Sequence, residues 1–141
     1  MRIGYACLTI GVPNTSLRHC LLKNASEYKL NELILYNLKS LENTIDYNIR
    51  NSIKLFRISS DLFPFASNPV NTIKWPEVYQ RQLKKIGEKI NQSGMRVSMH
   101  PGQYISLYNL VKYMRLYLPN SKAEQCKINR RKCAQPNLPV M

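Results

Sequence analysis

Leu30-Asn-Glu-Leu-Ile-Leu-Tyr-Asn-Leu-Lys-Ser-Leu-Glu-Asn-Thr-Ile-Asp-Tyr-Asn-Ile-Arg-Asn51, followed after Ser52 by Ile53-Lys-Leu-Phe-Arg-Ile-Ser59, is the stretch on which the fold turns. In the first part Leu30, Leu33, Ile34, Leu38, Leu41, Ile45 and Ile49 recur at steps of three and four, which predicts one apolar face of a helix about 20 residues long. Asn37, Glu42 and Asn43 are expected elsewhere on the cylinder, toward solvent. The second part is short, apolar and β-prone, and reads as a strand.

The same grammar extends in both directions. Upstream, Arg2 to Ile10 predicts a buried strand, Gly11-Val-Pro-Asn-Thr15 a turn, and the residues up to Tyr28 a long loop with a turn of helix. Downstream, Ser60-Asp-Leu-Phe-Pro-Phe-Ala-Ser-Asn-Pro69 is a loop. Trp75, Val78, Tyr79, Leu83, Ile86 and Ile90 mark a second amphipathic helix, closed by Gly94 as a C-cap. Met95-Arg-Val-Ser-Met99 is a third strand. Strand, helix, strand, helix, strand implies right-handed βαβ crossovers and a parallel sheet, hence an α/β fold. Ligands in such folds bind at the strand C-terminal ends, which places Asp61 to Asn68 and His100 to Tyr104 on one expected functional face. Beyond Leu107 the pattern changes: Leu110 to Leu118 suits a short helix, and Ser121 to Met141 has little periodicity.

The charge narrows the partners. Twenty-one basic residues against eight acidic ones give a net charge of +13, which favours a polyanion because each cation near a phosphate releases condensed counterions. Seven of those basic residues and one of the acidic ones follow Tyr108. A hydrophobic fraction of 44% argues against wholesale disorder. No apolar run approaches the roughly 18 to 20 residues of a membrane span, and Met1-Arg2-Ile3-Gly4-Tyr5 is not the start of a signal peptide, so a cytoplasmic protein is expected. Cys7, Cys20, Cys126 and Cys133 lack tight metal-binding spacing and read as free thiols. Nothing in the sequence fixes an oligomeric state.

Two stretches could carry chemistry. In Ser98-Met-His-Pro-Gly-Gln-Tyr104 the histidine stands at a strand end, a good place for a metal ligand or general acid/base. Pro101-Gly102 forces a tight turn, so Gln103 and Tyr104 project on a short loop suited to entering a base stack. A histidine bonded to backbone and a tyrosine packed on a neighbouring loop would fit the same pattern. In Arg57-Ile-Ser-Ser-Asp61 the guanidinium lies inside a strand and is expected to be buried against acceptors. Ser59, Ser60 and Asp61 can bind metal or phosphate, or cap a turn. Tyr5, near the end of the first strand, could reach the same face, whereas His19 reads as a loop residue.

Ile3-Gly-Tyr-Ala-Cys7, Tyr36-Asn-Leu-Lys-Ser-Leu-Glu-Asn43, Leu55-Phe-Arg-Ile-Ser-Ser-Asp61 with Pro64-Phe65, and Ser98 to Tyr104 together resemble, in order and spacing from Met1 to Leu107, the start of the UV damage endonuclease (UvdE) family. The resemblance implies a xylose-isomerase-like TIM barrel, of which residues 1–108 would supply the first three βα units at most. It implies a cluster of divalent metals, commonly manganese (Mn2+), that nicks double-stranded DNA directly 5′ to UV photoproducts. His100 matches a metal-ligand histidine of the family. Gln103 and Tyr104 match the pair that probes the duplex at the lesion, and Tyr5 matches an aromatic near the lesion pocket.

Two departures accompany the likeness. Many relatives have Ser-His-Pro where this chain has Ser67-Asn68-Pro69, and an amide oxygen is a weaker ligand than imidazole, so Asn68 is expected to bind metal weakly if at all. After His100 there is no further histidine and the only acidic residue is Glu124. Residues 109–141 then read as a divergent basic tail, for which disorder is one reading, and the chain as a truncated or frameshifted piece of an enzyme whose barrel takes about 200 to 250 residues. A remnant that binds DNA without cutting it is the alternative. Another xylose-isomerase-like barrel, such as a sugar isomerase or an abasic-site endonuclease, is disfavoured by Gln103-Tyr104.

Overall fold

The computed structural model describes residues 4–66 and 68–100. They form a three-stranded parallel sheet in the order β1 (Gly4–Ala6), β2 (Leu55–Ile58), β3 (Arg96–Met99). The connections run through α1 (Glu27–Arg50) and through a short α2 (Trp75–Val78) leading into α3 (Gln80–Ser93). Gly4, Tyr5 and Ala6 lie opposite Leu55, Phe56 and Arg57. Leu55 to Ile58 in turn lie opposite Arg96 to Met99. Sequential neighbours with both long helices packed on one face are consistent with part of a (β/α) barrel. A doubly wound sheet would reverse its strand order and carry helices on both faces.

Alternation along the strands separates the two faces. Phe56, Ile58 and Val97 are buried with Ile34, Leu38, Leu41 and Ile45 of α1 and Ile86 and Ile90 of α3 in one core. Arg57, Arg96 and Ser98 point the other way and are exposed. The expectation of a buried Arg57 is therefore corrected. No helix covers its face among the described residues, so its guanidinium remains in water. No helix among these residues is long and apolar enough to cross a membrane. Cys7 and Cys20 are free thiols, and Cys126 and Cys133 lie outside the described residues.

The first strand is shorter than its composition suggested. Cys7 adopts φ 64°, a left-handed conformation that turns the chain out of the sheet. Leu8 and Ile10 are consequently 66% and 91% exposed rather than buried. Helix α1 starts three residues before Leu30, because the Ser26 hydroxyl accepts the Lys29 N–H at 3.2 Å and caps it. The second helix divides at Tyr79, whose ring is buried and whose hydroxyl donates to Asn31 of α1. Burial raises the Tyr79 pKa. Gly94 caps α3 at φ 64°, as predicted.

Lysines lock α1 to α3. Glu42, expected to face solvent, is buried and accepts bonds from Lys85 and Lys89 at 2.8 Å and from Lys39 at 3.2 Å. Lys89 also donates to both carboxylate oxygens of Asp46, at 2.8 and 2.9 Å. Bonds from Lys85 and then Lys89 hold the Glu42 carboxyl at about 2, against the opposing effect of burial. Burial works to lower the Lys89 pKa, but its bonds to Asp46 and Glu42 outweigh that and leave it raised.

The packing of these elements can be tested at two residues. A Cβ on Gly4 would lie 2.3 Å from both the Leu55 Cβ and its carbonyl oxygen, so Gly4→Ala must force β1 away from β2. The expected loss is about 1–3 kcal/mol in a urea melt, with faster proteolysis around Leu8 to Pro13. The depressed Glu42 carboxyl stabilises the fold fully above its unfolded-chain pKa of about 4.3, and that contribution drains away as pH falls toward about 2. A pH titration of stability should lose on the order of 2 kcal/mol over this window, discounted for the exposure of Lys39 and Lys85. Glu42→Gln should flatten that acid limb.

Candidate functional site

Parallel pairing brings the ends of β1, β2 and β3 to the same edge of the sheet. The Cys7 N–H donates to the Arg57 carbonyl at 2.7 Å and the His100 N–H to the Ile58 carbonyl at 2.8 Å, so both chain exits stay tied to β2. His100 is exposed and continues the alternation that puts Arg96 and Ser98 on the face that no described helix covers.

The loops at this edge are held from beneath by Asn37, a residue expected in solvent but wholly buried. Its Oδ1 accepts the Arg18 N–H at 2.7 Å, and its Nδ2 donates to the Arg18 carbonyl at 2.9 Å. Nδ2 also lies within bonding distance of the carbonyls of Asp61 and Leu62, at 3.2 and 3.3 Å. One side chain of α1 thus joins the loop after β1 to the loop after β2, satisfying backbone groups that no strand reaches. Sequence periodicity contained the signal, since Asn37 is three residues from Ile34 and four from Leu41, on the buried stripe itself. Reading asparagine as a solvent residue concealed it.

The remaining expected site residues separate. Tyr5 lies on the helix-covered side. Its ring packs on Phe56 with centroids 5.0 Å apart, and its hydroxyl donates to Asn48 Oδ1 at 2.6 Å and bonds Thr9 Oγ1 at 2.8 Å. Asn68 is exposed, and its Oδ1 accepts the Val70 N–H at 3.0 Å, closing a turn within its own loop. Ser59 and Asp61 serve as turn caps: the Ser59 hydroxyl accepts the Asp61 N–H at 3.2 Å and donates to its Oδ2 at 3.1 Å. Phe63 stacks on Trp75 at 4.2 Å between centroids and anchors the far side of the loop. Gln103 and Tyr104 lie outside the described residues. Among the described residues no three His, Cys, Asp or Glu side chains gather as a metal site.

A parallel α/β sheet with an imidazole at one strand end and clamped loops beside it defines a class of ligand-binding and catalytic folds. Comparison with known proteins gives the family. The model of the family described as UV-endonuclease UvdE matches residues 1–114. A UV DNA damage endonuclease of Clostridium perfringens is 42% identical over 104 residues, covering 74% of this chain and 25% of that protein. One from Bacillus mycoides is 34% identical over 84 residues, covering 60% of this chain and 26% of that protein. The solved structure titled "Crystal Structure of SacUVDE" superposes with a TM-score of 0.68 at 30% identity, covering 84% of this chain and 43% of that one. The chain belongs to the UvdE family of UV endonucleases. It spans about a quarter of the length of these two curated relatives.

Replacing the clamp tests its role. Asn37→Ala strands the Arg18 N–H and the Arg18, Asp61 and Leu62 carbonyls, and should cost about 3 kcal/mol. Hydrogen exchange should accelerate selectively at Arg18 and its neighbours, while protection in β2 and β3 falls only as far as global stability does.

Proposed function

We propose that this chain works in DNA repair as part of a UV damage endonuclease, presenting the strand-end face to double-stranded DNA that carries UV lesions. The observation that carries this reading is the exposed His100 at the end of β3, held in register by its bond to Ile58 beside the clamped loops of β1 and β2. His100 is the residue proposed as a metal ligand, and Gln103 and Tyr104 as the pair that enters the duplex at the lesion. Extruding damaged bases costs less than extruding intact ones, so a probe of this kind selects distorted DNA without reading sequence. The cleavage proposed for the whole barrel is metal-dependent, with manganese as the metal, and falls 5′ to the photoproduct. A xylose-isomerase-like barrel would surround the site.

Among the described residues the donors do not fit a metal cluster. Asn68, the other residue considered as a ligand, has its Oδ1 already engaged by Val70. Asp61 shares its Oδ2 with Ser59, and Tyr5 is bonded on the opposite face. Phosphodiester hydrolysis by clustered metals needs several anionic or imidazole ligands to activate water and relieve charge on the leaving oxygen. That shortage favours a second reading: by itself the chain binds DNA without cutting it.

A nicking assay on UV-irradiated plasmid with manganese separates the two. We expect the 141-residue chain to retard the plasmid in a gel while leaving it supercoiled. Manganese-dependent nicking that disappears in His100→Ala would overturn the non-cutting reading and assign the reaction to this chain.

A further inference from the structure

Arg18 combines three properties that surface arginines seldom share. Its backbone is fixed on both sides, with N–H and carbonyl each bonded to the buried Asn37 amide at 2.7 and 2.9 Å. Its guanidinium carbon lies 3.8 Å from the centroid of the Tyr36 ring, on the helix position next to Asn37. It is exposed, and it forms no ion pair with a carboxylate among the described residues. Both contacts come from one turn of α1, so backbone and side chain share a single rigid support. The same Asn37 amide reaches Asp61 and Leu62, which fixes Arg18 beside the loop that leaves β2.

Stacking on an aromatic ring uses the guanidinium face and leaves its edge N–H groups free. Those donors match two oxygens of a phosphate. Most exposed arginines must give up rotamer freedom to bind, whereas this one has already surrendered much of it on folding. Lys85 and Lys89, by contrast, have their charge committed to Glu42.

We propose that Arg18, stacked on Tyr36 and anchored through Asn37, is a preformed binding site for a phosphate of the DNA backbone at the strand-end face. The proposal rests on the DNA-binding reading above and names one of its contacts. A phosphate contact positions the duplex without reading bases, so damaged and undamaged duplexes should feel the loss of Arg18 alike.

The test is fluorescence anisotropy of the full chain with a labelled duplex, with and without a thymine dimer, from 50 to 200 mM salt. Loss of one phosphate contact lowers the slope of log affinity against log salt by about 0.9. Arg18→Ala should show that decrease on both duplexes, bind about three- to tenfold more weakly at low salt, and keep its melting temperature. Tyr36→Leu should weaken binding in the parent and have little further effect in Arg18→Ala, because the two act as a unit. Lys84→Ala, an equal loss of charge on the outer side of α3, should leave the slope nearly unchanged. An unchanged slope in Arg18→Ala, or an equal fall in Lys84→Ala, overturns the phosphate site while leaving DNA binding itself standing. A wild-type chain that binds neither duplex at 50 mM salt removes the functional reading and the site with it.

Discussion

Parallel pairing obliges each connection in this chain to travel from one end of the sheet back to the other. Strands of three or four residues cannot support themselves, and their hydrogen bonds survive because α1 and α3 exclude water from one face. The crossover requirement also decides where chemistry can occur. Helices return the chain to the strand starts, and the loops after Ala6 and Ile58 are left with His100 at the other edge. Close approach tightens the arrangement: β1 can lie against Leu55 only because residue 4 has no side chain.

Helix α1 does more than cover the sheet. Its buried stripe is interrupted by polar residues, three of which reach different neighbours. Asn37 replaces missing backbone partners in two loops, Glu42 takes the lysines of α3, and Asn48 accepts the Tyr5 hydroxyl of β1. A buried polar group costs stability unless it is paired, so each of these contacts restricts how its neighbour can pack. Leucine at the same positions would fill the space without fixing the register of the loops.

The charge of the protein gains meaning from this division. Part of the basic excess is spent within the protein, where Lys39, Lys85 and Lys89 surround the one carboxylate of Glu42 from its solvent side. The cations free to meet a polyanion are a subset, and their value depends on how firmly they are held. Arg57 and Arg96 line the face that no described helix covers, while Arg18 stands on a supported loop at the strand ends.

The amino-acid sequence by itself determined the order of elements, the apolar face of α1, the Gly94 cap and the family blocks. These features are local: a period of three and four, a glycine at a helix end and a short motif are properties of neighbouring residues. Only the tertiary structure decided that Asn37 and Glu42 are buried, that Leu8 and Ile10 are exposed, and that Tyr5 turns toward the helices. Each of those outcomes depends on a partner far along the chain, or on the φ of Cys7, which hydropathy does not report. The position of a polar side chain follows from which distant backbone group lacks a bond, and that is known only once the chain has folded.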